Sequence, residues 1–451
     1  VRIRLDSIGC RLNIGEIEAM ARRFAAGGHQ IVNQGERAEL CVLNTCTVTA
    51  IASRKSRQFI RQLRRRNPET RVVVTGCLAE LEPASLEALG VDLVVGNEAK
   101  DKLPEILAAR GVLELDSTEA SIPAPPDVSP AERTRAFLKV QDGCDNKCTF
   151  CVVTVARGRG RSLDGDGIVS EIRNLENLGY QEVVLSGVHL GSYGHDLGHT
   201  RGLEDLVRRI LAETEIKRLR LSSLEPWDLD LPFFDIFSNS RLLPHLHLPL
   251  QSGCDATLAR MARKTTIRGF TELIDAARQE IGDVSISTDI MVGFPGETDE
   301  EFEESIATVE ALTFSRLHVF RYSRREGTRA AAMPNQVPGP VSQERSRRLH
   351  ELGQRLMSEH HERFLGRRLR VLWEDAEDQG DCHRWSGLTD NYIRVLTETE
   401  SDTNLTNEIT GIDLEVCVPG AMLGSVPGVS ISGIAPRSRR EGVSLSVVPG
   451  S

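Results

Sequence analysis

Three cysteines crowd into one short word, Cys144-Asp-Asn-Lys-Cys148-Thr-Phe-Cys151, directly after a strand-like stretch and with Gly143 to turn the chain. Three thiolates in one loop can converge on one metal centre. A [4Fe–4S] cluster normally takes four cysteines. Three leave one iron open, and an open iron is a reactive site. A structural zinc wants four closed ligands, and the next cysteine, Cys254, stands about a hundred residues further on. Free packing thiols are the plain alternative, and three in one loop argue against it.

A second set is dispersed. Cys10 follows Ser7-Ile-Gly, Cys46 follows Asn44-Thr, and Cys77 follows Thr75-Gly, each in the turn after a strand-like run. In a parallel sheet such turns share one edge, so three thiolates can meet there. Spacing alone leaves this open, because cysteines in strand-to-helix loops often serve packing. Cys41, Cys254, Cys382 and Cys417 fit neither set and read as structural.

The elements that must position these thiols can be read from periodicity. Between Val1 and about Arg110, strands expected at 1–7, 40–44, 71–75 and 92–95 alternate with helices, the first over 14–26. That alternation argues for a parallel α/β domain. A segment holding Pro123, Pro125, Pro126 and Pro130 among small and acidic residues then reads as a linker. From Arg133 strands are expected at 136–141, 182–186, 218–222, 245–248, 284–291 and 316–322, with helices between them at 167–178, 203–213, 266–280 and 299–312. Six β–α units fit an open or partial barrel, in which chemistry sits at the C-terminal strand ends. After Gly366 short strands at 369–373, 392–396 and 412–418 suit a small β-barrel. The expected division is 1–113, a linker at 114–132, 133–363, 364–437 and a tail at 438–451.

The words around the cysteines resemble a known family. Cx3CxxC after the first barrel strand is the signature of radical S-adenosylmethionine (SAM) enzymes. Gly9-Cys10-Arg-Leu-Asn13, Asn44-Thr-Cys46-Thr-Val and Thr75-Gly-Cys77-Leu-Ala resemble the three cluster loops of the methylthiotransferases within it. The resemblance implies two [4Fe–4S] clusters, one on Cys144, Cys148 and Cys151 that cleaves SAM to a radical, and one on Cys10, Cys46 and Cys77 associated with sulfur. It implies a cofactor pocket lined by the words that carry Ser186, Gly187, Ser222, Gln251, Asp289 and Gly293. Taken singly these residues are ordinary turn formers; their joint order carries the likeness. Residues 364 to about 436 resemble a TRAM domain, a small RNA-binding β-barrel, with Gly366, Trp385-Ser-Gly-Leu-Thr389 and Tyr392-Ile-Arg-Val as the matching words.

Three substrate groups fit such a family: threonylcarbamoyladenosine in tRNA next to the anticodon, isopentenyladenosine in tRNA, and an aspartate of a ribosomal protein. Ala156-Arg-Gly-Arg-Gly-Arg-Ser162 and Leu317-His-Val-Phe-Arg-Tyr-Ser-Arg-Arg-Glu-Gly-Thr328 resemble the first group best. Thr154-Val155 and Arg321 depart from its usual pattern, which leaves the choice open. On that reading a radical abstracts hydrogen from carbon 2 of the adenine, sulfur couples there, and a second SAM supplies the methyl group. An electron donor such as flavodoxin or ferredoxin is implied. A non-catalytic alternative is an RNA-binding protein with zinc in its cysteine loops.

Charge bears on the partner. The 451 residues carry a formal net charge of −10, which by itself argues against nucleic acid. Residues 53–67 nevertheless hold seven bases and no acid, with Arg54, Arg57 and Arg61 on one helical face. Such a face can contact phosphates, although basic runs are usually just solvated. Arg157 after the cluster loop, with Arg159 and Arg161, and a group from Arg316 to Arg329 extend the expected RNA surface. The TRAM-like segment, residues 364–437, holds twelve acids against six bases and does not help. The chain opens on Val rather than Met, which reads as a trimmed start, and no apolar leader follows it. No run approaches the roughly 18 apolar residues of a membrane helix. The expected setting is cytoplasmic, where thiols stay reduced and favour metal over disulfide.

Overall fold

The computed structural model describes residues 1–33, 35–114, 134–380 and 382–427. The expected linker, apart from residue 114, and the expected tail lie outside the described residues, as does the last part of the TRAM-like segment.

Five parallel strands form the N-terminal sheet: β1 (Arg2–Ser7), β2 (Gln30–Val32), β3 (Leu40–Thr45), β4 (Arg71–Gly76) and β5 (Leu93–Val95), in the order β2-β1-β3-β4-β5. β3 is buried along its whole length, as a strand covered on both faces must be. One face packs Val42 and Val73 against Phe24 and Leu107. The other packs Leu43 and Val74 against Ile60 and Leu63. Phe24 belongs to the helix Arg11–Ala26, whose buried Ile17, Met20, Ala21 and Phe24 recur at helical spacing. β2 escapes periodicity because it is three residues long on a sheet edge.

The second unit holds β6 (Arg135–Asp142), β7 (Arg161–Ser162), β8 (Glu182–Gly187), β9 (Arg218–Leu221), β10 (His245–His247), β11 (Ser285–Val292) and β12 (Arg316–Arg321). β6, β8 and β9 pair in parallel, as do β10, β11 and β12. Parallel bridges Leu219–Leu242 and Ser223–His247 join the two groups. The result is a partial barrel of six parallel strands, as expected from the six β–α units. The helix Arg11–Ala26 lies against β6, where a side chain on Gly15 would strike the Phe137 carbonyl oxygen at 2.3 Å.

β13 (Arg368–Asp378), β14 (Cys382–Thr389), β15 (Arg394–Glu400), β16 (Ile409–Val418) and β17 (Ala421–Ser425) close into a small barrel in the order β13-β14-β15-β17-β16. Trp373 and Trp385 fill its core, and their indole N–H groups donate to Thr410 Oγ1 at 2.8 Å and Thr399 Oγ1 at 3.0 Å. The turn between β14 and β15 enters the N-terminal mouth of the partial barrel. There Tyr392 stacks on His245 with ring centroids 4.4 Å apart. Arg220 lies over its face at 4.7 Å, and Arg11 of the N-terminal unit donates to its hydroxyl. Glu182, fully buried, takes Arg218 at 2.8 Å and Arg220 at 2.7 Å. Both arginines continue to the Thr389 carbonyl. One tyrosine thus touches all three units.

Candidate active site: two thiol triads on adjoining edges

Strand register gathers the first triad. Ser7 stands beside Asn44, and Thr45 beside Gly76. Cys10, Cys46 and Cys77 therefore leave neighbouring strands at one sheet edge. Two glycines make the approach possible. A side chain on Gly9 would meet Cys46 Cβ at 2.7 Å, and one on Gly76, at φ +95°, would meet the Thr45 carbonyl oxygen at 2.3 Å. Asn13 ties the loops by donating to the Thr45 carbonyl at 3.1 Å. Val48 N–H donates to Cys46 Sγ at 3.5 Å. Burial pushes the Cys46 thiol up to about 12, with Cys10 and Cys77 adding to the rise. Desolvation raises Cys10 as well, against the pull of Arg157, although its rim is open to water. A metal charge shared by thiols this close would favour their thiolate forms.

The second triad lies in the loop after β6. Asn146 N–H donates to Cys144 Sγ at 3.4 Å, and Val153 N–H to Cys151 Sγ at 3.4 Å. Burial pushes Cys151 up to about 12, with Cys148 and Cys144 adding to it. Two ion pairs that the sequence words concealed stand round this loop. Arg263 reaches Cys148 Sγ at 3.9 Å and pairs with Glu225 at 2.6 Å. His189 pairs with Asp228 at 2.5 Å and faces Asn146 at 3.3 Å. Burial works against a charge on His189, yet its bonds to Asp228 and Cys144 push it up to about 10. His189 follows the expected cofactor residue Gly187 by two positions; Arg263 had no local signal.

Among the described residues no three His, Cys, Asp or Glu side chains converge tightly enough to hold a single ion. A cubane cluster does not require that, since each thiolate takes its own iron. The donor set is soft, free of disulfides and supplied with N–H groups aimed at sulfur, which fits an iron–sulfur cluster at either triad.

The triads adjoin. Asn97 donates to the Ala156 carbonyl at 2.6 Å, and Ala50 N–H to Ser323 Oγ at 3.3 Å. Arg325 Nε donates to the Val48 carbonyl at 3.4 Å. Between the triads lies Arg157, paired with Glu16 and Asp142 at 2.9 Å each. Lys100 and Lys139 also reach Glu16. Burial alone would raise Glu16, but these three cations hold its carboxyl well below the ordinary range. Arg157 is itself buried, which overturns the expectation that it binds RNA: it is a strut joining the two thiol loops.

The other expected residues divide. Ser222 lies at the end of β9 with its Oγ buried and unpartnered among the described residues, as a ligand contact would leave it. Ser186 is buried, and its Oγ faces the Val184 carbonyl at 3.4 Å. At Gly187 an added Cβ would sit 3.1 Å from Gln141. Gln251, at φ +76°, exchanges backbone bonds of 2.8 Å with Asp289 and Met291. Asp289 faces the lumen and meets His247 at 3.2 Å. Gly293 is different: a side chain there would strike Ser342 Cβ at 2.6 Å, so packing of the helix Gly339–Glu362 accounts for the glycine. On the helix Ala50–Arg66, Arg54 and Arg61 are exposed. Arg57 is half-buried against Glu82 and therefore a poor phosphate contact. A cavity of about 1130 Å³ bounded by Arg4, Arg37, Phe59 and Arg66 opens at the opposite edge of the sheet, away from the thiols.

Residues 2–96, which span the first triad, match the family model described as uncharacterized protein family UPF0004. Residues 138–309, which span the second, match that of the radical SAM superfamily. The chain is 36% identical over 423 residues to the threonylcarbamoyladenosine tRNA methylthiotransferase MtaB of Bacillus subtilis (strain 168), covering 89% of this chain and 91% of that protein. A protein of the same name from Thermotoga maritima is 37% identical over 397 residues, 87% of this chain and 90% of that one. The tRNA-2-methylthio-N(6)-dimethylallyladenosine synthase of Thermobifida fusca is 34% identical over 430 residues, 92% of this chain and 87% of that one. Among solved structures, the radical S-adenosylmethionine methyltransferase TsrM from Kitasatospora setae superposes with a TM-score of 0.52 at 16% identity, over 71% of this chain and 72% of that one. That likeness shows the fold.

Proposed function

The chain belongs to the methylthiotransferases of the radical SAM superfamily, and from that membership we propose that it adds a methylthio group to carbon 2 of N6-threonylcarbamoyladenosine beside the anticodon of tRNA. The observation that carries the reading is the meeting of two three-thiol sets on adjoining edges. Three thiolates in each set would leave one iron of a cubane cluster without a protein ligand. Cys144, Cys148 and Cys151 would hold the cluster of the superfamily, and Cys10, Cys46 and Cys77 a second one. Bound there, such clusters supply one-electron chemistry and a seat for sulfur, which no side chain supplies.

The chain's own residues do the rest. Ser222 and Asp289 would hold polar groups of SAM at the strand ends. His189 and Arg263 donate to the cluster thiols and fix their orientation. The Glu16–Arg157 strut keeps the two edges in register, so that a nucleobase can be addressed from both without either loop moving. Arg54 and Arg61 would meet the RNA backbone, and an electron donor of the flavodoxin or ferredoxin kind would reduce the clusters. Among the described residues no helix is long and apolar enough to cross a membrane.

Mass spectrometry of tRNA nucleosides tests the reading. A strain lacking the gene should accumulate N6-threonylcarbamoyladenosine and lose its 2-methylthio form, and the gene should restore it. Unchanged tRNA in that strain would reject the function.

A further inference from the structure

The lumen of the partial barrel is polar, where barrel interiors are commonly filled by branched apolar side chains. Arg316 and His318 stand two residues apart on β12 and so share its inward face. His318 meets His247 edge-on, with ring centroids 5.4 Å apart. His247 bonds Ser287 at 2.9 Å on one ring nitrogen and Asp289 at 3.2 Å on the other. In register, Arg316 lies beside Ser287 and His318 beside Asp289. The Arg316 backbone is thus two residues toward the N-terminal mouth from the level of Asp289, and its charge is felt with those of Tyr392, Arg11 and Arg394.

Every neighbouring cation has a partner. Arg218 and Arg220 take Glu182, Arg135 takes Glu374, Arg394 takes Glu374, and Arg11 takes the Tyr392 hydroxyl. The Arg316 side chain makes no hydrogen bond or ion pair among the described residues. It is open to water yet ringed by protein, and burial with the nearby charges of Arg11 and Arg394 lowers its pKa, Tyr392 opposing. Burial likewise pushes His318 down to about 4, so it is a neutral donor and acceptor. An unpaired guanidinium set beside two imidazoles is the complement of a planar anion.

We infer that Arg316 is the specificity residue of this enzyme, receiving the carboxylate of the threonyl group on N6 in a two-pronged ion pair with His318 alongside. This rests on the function proposed above. An isopentenyl group offers no anion, and would leave Arg316 and the two imidazoles desolvated against hydrocarbon.

The test uses the cluster-loaded full chain and three anticodon stem-loops, bearing N6-threonylcarbamoyladenosine, N6-isopentenyladenosine or plain adenosine. Fluorescence anisotropy of wild-type protein should show a preference of about ten- to a hundredfold for the first over the third. Arg316→Gln should erase that preference without weakening the plain stem-loop, and Arg316→Lys should keep part of it. Iron content and thermal midpoint report folding; should Arg316→Gln lose iron, Arg316→Lys carries the comparison through its reduced preference. A preference that survives in both variants, or equal weakening of all three RNAs, overturns the assignment. Wild-type protein that leaves threonylcarbamoyladenosine unmodified overturns the proposed function and the assignment with it.

Discussion

At the residue scale the six cysteines divide the labour. Cys148→Ala should abolish SAM cleavage, whereas Cys46→Ala should spare cleavage and stop thiolation; deoxyadenosine and methylthio-nucleoside assays on the two proteins separate these outcomes. Persistent thiolation without Cys46 would reject the auxiliary role. Glu16 is the more exacting case. It is fully buried against Arg157 and Lys100, so Glu16→Gln leaves those cations and Lys139 with Asp142 as their shared carboxylate. A loss of about 3–5 kcal/mol is expected for breaking such a pair, to be read from denaturant midpoints; a change below about 1 kcal/mol would show that Asp142 suffices. The thiols were legible because each triad is either contiguous or placed after a strand. The strut was not, because Glu16 and Arg157 are 141 residues apart and nothing local at either position points to the other. Arg157 read as one more arginine of a basic tract, since sequence cannot tell a solvated guanidinium from one that folds inward.

At the scale of elements, the helix Ala50–Arg66 shows how a basic face is divided. Thr49 caps it by accepting from Ala52 N–H at 3.2 Å, and Arg64, Arg65 and Arg66 sit in its last turn, where cations suit the helix dipole. Arg64 spends its donors on the Thr70 and Gly90 carbonyls and on Asp92. Arg54 and Arg61 are exposed and make no side-chain hydrogen bond or ion pair among the described residues. The double substitution Arg54→Ala/Arg61→Ala should therefore weaken tRNA binding and make the salt dependence of log K shallower by about 1.5. Arg64→Ala should lower the melting temperature and leave that slope alone. Binding titrations over a range of salt distinguish the two, and an unchanged slope in the double variant would remove this face from the interface. The helices named from the sequence and the buried parallel strands were readable to within a few residues, whereas the helix Gly339–Glu362 was not among those named. β14 and β17 were not. Cys-His-Arg-Trp-Ser-Gly-Leu-Thr in β14 lacks alternation in its sequence, and a closed barrel buries part of both its faces. β17 is a five-residue strand with small residues at three positions, which period-two counting cannot register.

For the whole molecule, stability should depend on pH through the end of the helix Gly339–Glu362. His360 bonds Ser285 Oγ at 2.9 Å and packs on Phe364 at 5.2 Å, joining the barrel to the C-terminal unit. Burial pushes His360 down to about 3 and His361 to about 4. Both are neutral when folded, while the unfolded chain takes up protons near pH 6.5. The stabilisation is whole above about pH 6.5 and is lost as pH falls toward 4 and then 3. Melting curves at about pH 7.5, 6.5 and 5.5 should show a decline that His360→Gln/His361→Gln flattens; parallel declines in the two proteins would assign the effect elsewhere. The three-unit plan was legible because composition and periodicity change at its seams. How the units meet was not, because Arg11 and Tyr392 are separated by 381 positions. That last contact has a consequence for synthesis. Chain leaves the ribosome at roughly 5–20 residues per second, so the N-terminal sheet is complete for some tens of seconds before the tyrosine that closes the chamber floor has been translated. Until then the arginines of that floor have no stopper, and a nascent or truncated chain presents a cationic hole to whatever polyanion is at hand.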